Sequence, residues 1–203
     1  MKYNRENHKL IEIVTGIYPQ VRPLKKILLE GADINYQDSA AGYTPLMFLV
    51  VNHHDRIAEY LLYQGANPLI KNYESKLASE LISPIDTVFP MLKDFELLFA
   101  VLDNEFSAAE NALAGGALIN CRNRRSYTPL MIAVEQNQEE MVEFLLLQGA
   151  TPSLTLANGQ YLTDLTCNPL ILDLLEEAKH WGEEMQVNIK KPTNRFFTAQ
   201  RDK

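Results

Sequence analysis

The apolar residues of this chain fall in short clusters with helical spacing, separated by Gly, Pro and Asn. Ile57, Ala58, Leu61 and Leu62 follow an i, i+1, i+4, i+5 pattern, which is one face of a helix, and Met141, Val142, Leu145 and Leu146 repeat it. Similar clusters occur at Leu24 to Leu29, 95–102, 108–116, 161–166 and 170–181. Each is long enough for two to four helical turns and is followed by a break. No uninterrupted apolar run exceeds six residues, as at 46–51. A bilayer-crossing helix needs about 20, so none is expected.

The clusters repeat. Thr44-Pro45-Leu46-Met47 returns as Thr128-Pro129-Leu130-Met131, 84 residues later, and Gly65-Ala66 returns as Gly149-Ala150. Over 44–66 against 128–150, 11 of 23 positions are identical without a gap. A shorter period lies inside the long one. Gly31-Ala32-Asp33, Gly65-Ala66-Asn67, Gly116-Ala117-Leu118 and Gly149-Ala150-Thr151 are spaced by 34, 51 and 33 residues. The local chemistry suits a helix pair in each unit. Thr44 and Thr128 can cap a helix start, and Pro45 and Pro129 suit its first turn. A first helix then runs to about Asn52 or Gln136. A second starts near Asp55 or Glu139 and ends at Gly65 or Gly149. No such unit can bury its apolar face alone, so units must stack.

A period near 33, opened by Thr-Pro-Leu and closed by Gly-Ala, resembles the ankyrin repeat. The resemblance spans roughly residues 8–182 and is strongest at 43–75 and 127–159. Met47 and Met131 stand where that family usually has His, and Leu49 where it has Ala. It implies an all-α solenoid of about six helix-turn-helix units with short β-turn fingers, as at 66–76 and 150–160. Residues 8–33 read as an N-terminal unit, 95–118 as an internal one and 161–181 as a C-terminal cap whose last helix starts near Pro169. The spacing of 51 breaks the register by about 18 residues. A truncated unit is therefore expected at 77–94, with two short helices limited by Pro84 and Pro90 and no finger. The expected organisation is a repeat domain over 1–185, in halves of about 8–94 and 95–182, and a tail over 186–203. Near 83–94 we expect either a bend or a continuous stack lacking one finger.

Charge refines this picture. The net charge is −7. Five basic residues against Asp202 give the last 18 residues +4, which leaves −11 for residues 1–185. An acidic body argues against nucleic-acid binding. The tail also carries Phe196-Phe197, and reads as a solubilising tail, a short binding motif, a segment folding back on the acidic body or a targeting segment. The polar residues 1–9 predict no secretory leader. Cys121 and Cys167 are too few for a disulfide framework, which favours a reducing, cytoplasmic setting.

Little of the sequence suggests catalysis. His53-His54-Asp55 could offer a base or a metal pair, but reads better as the turn between two helices of a unit. No zinc spacing, GxGxxG or GxxxxGK[ST] occurs. Cys121 is expected to pack at a finger base, although Arg122 and Arg124 could lower its pKa. No cofactor or metal is expected.

The resemblance implies a different kind of site. Partners of ankyrin proteins dock in the concave groove of fingertips and first-helix ends. Carried over residue by residue, the groove here holds Tyr36 and Tyr43 with Val51 and Asn52, then Tyr73 and Lys76. Arg122, Arg124, Arg125 and Tyr127 follow, with Glu135 and Gln136, then Asn158 and Gln160. The first finger has one extra residue between Asp38 and Gly42. Tyr and Arg are enriched at binding hot spots, and three Arg within four residues suit an acidic or phosphorylated segment. The expected function is a non-catalytic adaptor or scaffold that binds another protein as a monomer. The alternative is a secreted bacterial effector or inhibitor occluding a host protein. Tyr60, Tyr63, Phe144 and Leu147 are expected to be exposed on second helices and to support any self-association.

Overall fold

The computed structural model of the chain describes residues 5–152, 155–156 and 159–184; the tail 186–203 lies outside the described residues. The described residues form nine α-helices: α1 (Arg5–Thr15), α2 (Val21–Leu29), α3 (Pro45–Val51), α4 (Asp55–Tyr63), α5 (Phe89–Leu102), α6 (Phe106–Ala114), α7 (Pro129–Glu135), α8 (Glu139–Leu147) and α9 (Pro169–Glu184). Two 3-10 turns, Ala78–Leu81 and Leu162–Leu165, stand in the same stack. No strand occurs among the described residues, and one isolated bridge joins Thr155 and Tyr161.

The helices make two rows. An inner row runs α1, α3, the first 3-10 turn, α5, α7 and the second 3-10 turn, each packed on the next. An outer row holds α2, α4, α6, α8 and α9, with α1/α2, α3/α4, α5/α6 and α7/α8 as hairpins. The two seven-residue inner helices, α3 and α7, are covered on almost every side. In α7, Pro129, Leu130, Met131, Ile132, Ala133 and Val134 are all buried, and in α3 Pro45, Leu46, Met47, Leu49 and Val50. Trimming one such Leu to Ala costs about 2–5 kcal/mol in a close-packed core.

Both expected helix caps are present, with an unusual partner. Thr44 Oγ1 accepts from the Met47 amide and Thr128 Oγ1 from the Met131 amide, both at 3.3 Å. In return each Thr amide donates to the Met sulfur at 3.5 Å. A thioether is a weak acceptor. Met47 and Met131 thus close the cap with sulfur while filling the core. The 3-10 turns use carboxylates at the same position: Glu80 Oε2 accepts from the Leu77 amide and Asp164 Oδ2 from the Tyr161 amide.

A hydrogen-bond ladder runs along the stack, within a hairpin or between neighbouring units. The amides of Asp33, Asn67, Leu118 and Thr151 follow their Gly-Ala pairs. They donate to Asn7 Oδ1 (2.8 Å), Asn35 Oδ1 (2.8 Å), Asp94 Oδ1 (2.7 Å) and Asn120 Oδ1 (3.0 Å).

The truncated unit differs from expectation. Instead of two short helices, 77–94 holds one 3-10 turn, a loop and the start of α5. Pro90 does not end a helix there; it stands in the first turn of α5, where proline's missing amide costs nothing. The helix of the next unit therefore starts at Phe89, ahead of Phe95. Three inter-helix turns set the register, because His53, Asn104 and Asn137 share a left-handed backbone (φ 56, 55 and 54°). By that register 96–102 of α5 matches 45–51 of α3. Residues 89–95 are then about two extra turns on the finger side of the stack. They stand in for the absent finger, since Asp94 takes the rung that Asn35 and Asn120 take from fingers. Phe95 packs edge-on against Tyr63 of α4 at 5.2 Å. The Thr87 hydroxyl donates to Asp55 at the start of α4.

Two outcomes follow. Thr128→Ala is expected to cost about 1 kcal/mol of stability in urea unfolding. Burial raises the Asp94 pKa, against the lowering effect of the Leu118 hydrogen bond. The folded chain holds that proton more tightly than the unfolded one, so stability falls as pH rises from the ordinary Asp range through the raised value. Asp94→Asn keeps the acceptor without the charge. It is expected to melt higher than the parent at neutral pH, with the gap closing below the ordinary Asp pKa; Asp94→Ala, which loses the rung, is expected to melt lower.

Candidate functional site

The finger side of the stack carries the most exposed chemistry. Three fingers are built by one device. Asn72 Oδ1 accepts from the amides of Glu74 and Lys76, and Asn123 Oδ1 from those of Arg125 and Tyr127. Asp38 does the same for Ala40, Ala41 and Tyr43. The Asp38 amide donates to Tyr43 O, one residue farther along than Asn72 to Lys76 or Asn123 to Tyr127, which places the extra residue of the first finger. The first two fingers are stitched together. Gln37 Nε2 donates to Gly42 O and Lys71 O, and the Tyr73 amide donates to Ala41 O. Gly42 is required twice over: its φ is 70°, and a Cβ there would lie 2.5 Å from the Tyr73 ring.

The residues expected to form the groove divide by burial. Tyr73 is 65% exposed and Val51 40%. Asn52, Lys76, Arg122, Arg124, Arg125, Glu135, Gln136 and Gln160 are also exposed. Tyr36, Tyr43 and Tyr127 are half-buried. Tyr43 packs on Phe48 at 5.3 Å, and Tyr36 lies 6.4 Å from His8. These two tyrosines, and Tyr127, therefore also support the stack. Asn158 lies outside the described residues.

The three arginines lie on one finger and are held differently. Arg122 Nη1 donates to Ser126 O at 2.8 Å. The Arg125 guanidinium stands 5.8 Å from the centre of the Tyr127 ring. Arg124 Nη1 reaches Gln64 Oε1, at the end of α4, at 3.4 Å. Among the described residues no carboxylate lies within ion-pair distance of any of them. Tyr127 Oη is 3.5 Å from Glu135 Oε1. Lys76 pairs with Glu74 at 3.0 Å, which favours its charged form.

Three other expectations meet different fates. His53-His54-Asp55 is the left-handed turn into α4, and Asp55 receives the Thr87 hydroxyl. No group of three His, Cys, Asp or Glu is placed to hold a metal among the described residues. Cys121 is buried, as packing at the finger base implies, and burial together with the Asp94 charge pushes its thiol up to about 12, so the alternative of a pKa lowered by Arg122 and Arg124 does not hold. Phe144 is 8% exposed, covered by the Phe106 ring of α6 at 5.9 Å, so it is no self-association residue.

The family model described as "Ankyrin repeat" matches residues 41–73 and 125–155. These are the two segments with Thr-Pro-Leu-Met caps and regular fingers. The chain carries ankyrin repeats in these two segments. A mitochondrial disaggregase of Bos taurus is 28% identical over 57% of this chain and 20% of its own length. The human mitochondrial disaggregase is 33% identical over 38% of the chain and 11% of its own. The human 2-5A-dependent ribonuclease is 35% identical over 32% and 9%. The chain thus spans about a fifth or less of these relatives. No described helix is long and apolar enough to cross a membrane.

The ankyrin resemblance misses one surface feature. A groove of about 430 Å³ lies between α2 and α4, with Leu29 and Tyr60 on its walls. Its only signal in the sequence is the Leu28-Leu29 pair at the end of α2, where one Leu suffices for the core. For the cysteines, native chain treated with a thiol reagent at pH 8 is expected to react at exposed Cys167. Cys121 should react at least about a hundredfold more slowly until denaturant is added.

Proposed function

We propose that this chain is a non-catalytic protein-interaction module, an adaptor or scaffold, whose fingers and adjoining ends of α3 and α7 bind another protein. Ankyrin repeats mediate protein–protein interaction. The observation that carries the finer reading is the exposed Tyr and Arg side chains on fingers held rigid by their own hydrogen bonds. Tyr73, Arg124 and Arg125 are presented with little ordering left to lose on binding. The arginines lack carboxylate partners among the described residues in an acidic body, which favours an acidic or phosphorylated segment of the partner. The relatives' names denote enzymes. We assign this chain a binding role because its one base-like string, His53-His54-Asp55, serves as a turn. The unpaired cysteines favour a reducing compartment such as the cytoplasm.

The test is capture from the cell of origin, comparing the intact chain with the Tyr73→Ala/Arg125→Ala variant. Circular dichroism should be unchanged. A partner held by the parent and lost, or weakened at least about tenfold, by the variant supports the finger face. A partner held equally by both moves binding elsewhere and overturns the assignment.

A further inference from the structure

Outside the finger face, a groove opens between α2 and α4. Leu28, Leu29, Ile34 and Tyr60 give it apolar walls, and Leu29 is 78% exposed at its rim. Lys25 is part of its lining, and no carboxylate lies within ion-pair distance of it among the described residues. Arg124 lies beside it, because Gln64 both lines the groove and accepts the Arg124 hydrogen bond. Asp33 also lines the groove, and its Oδ1 accepts from the Asn35 amide at 2.9 Å. The site therefore offers an apolar trough with two cations near it.

We propose that this groove is a second docking site, which takes an extended acidic segment of a partner protein. A Leu-sized side chain fills the trough, and an Asp or Glu carboxylate reaches Arg124. Only the breadth of Gln64 separates the two points, which about two to four residues of extended chain can span. A carboxylate fits better than a phosphate. Arg122 and Arg125 are held on their own finger, so one guanidinium faces the ligand where a dianion favours several. The site lies on the outer-helix side and shares Arg124 with the finger-face reading.

The test uses fluorescein-labelled peptides in a Ser/Ala context, each with Leu followed three positions later by Glu, titrated into the full chain by anisotropy. Controls change Leu to Ser, Glu to Gln, or Glu to phosphoserine. The Leu/Glu peptide is expected to bind, and more tightly at low salt. Changing Glu to Gln should weaken it about two- to fivefold, the size of an exposed ion pair. That difference should vanish in Arg124→Ala. Leu29→Asp, at an exposed position, should remove binding, and the Tyr73→Ala/Arg125→Ala variant should leave it intact. Equal binding of Glu and Gln peptides, no effect of Leu29→Asp, or no binding at all would overturn the proposal. Tighter binding of the phosphoserine peptide would reassign the site to phosphate. Self-association in sedimentation that Leu29→Asp abolishes would reassign it to a second copy.

Discussion

Every unit of this protein depends on the next to cover its inner helix. A seven-residue helix such as α3 or α7 spans about 10 Å and is marginal in water. Its stability comes from neighbours on both sides in the inner row and from the outer helix behind. The rungs from Asp33, Asn67, Leu118 and Thr151 fix the spacing at which this happens, since each is held at 2.7 to 3.0 Å. Packing supplies the energy and the ladder supplies the register, so the surface is rigid without a large core.

The missing finger is where that rule is met by other means. A finger normally supplies the rung acceptor and the start of the next inner helix. Between the first 3-10 turn and α5 there is none, and α5 starts two turns early instead. Asp94 replaces the finger's Asn, and Phe95 covers Tyr63 of α4. The replacement has costs. Glu96, at a position where α3 has Pro45, is 2% exposed and pairs with Lys93 at 2.8 Å, and its other oxygen has no partner. Lys93 in turn lies against Gly115, where a Cβ would come within 2.8 Å of its stem. One irregular helix thus fixes several residues that regular units leave free.

What could be read from the sequence follows the same division. Thr44, Thr128, Gly65 and Gly149 act locally, so the caps and helix ends of the regular units were legible. Pro90 was not, because a proline that limits a helix and one that opens it look alike without the flanking contacts. The same limit applies to the site. Arg124 and Tyr73 were legible as exposed because fingers have little else to bury. Phe144 was not placed correctly, since its covering residue, Phe106, comes from packing. The raised Cys121 pKa has the same origin: its neighbouring arginines are close in sequence, while the burial and the Asp94 charge that hold its proton on come only from the stack.

The irregular unit also explains why Arg124 is where it is. In a regular stack the end of α4 would be covered by a third outer helix and faced by a third finger. Here the place next to Tyr63 is filled by Phe95 from α5, and the end of α4 at Gln64 stays open. The finger that carries Arg124 can then reach back 60 residues in sequence to Gln64. A guanidinium bonded only to a neutral amide at 3.4 Å contributes little to stability, which leaves its charge available to a ligand.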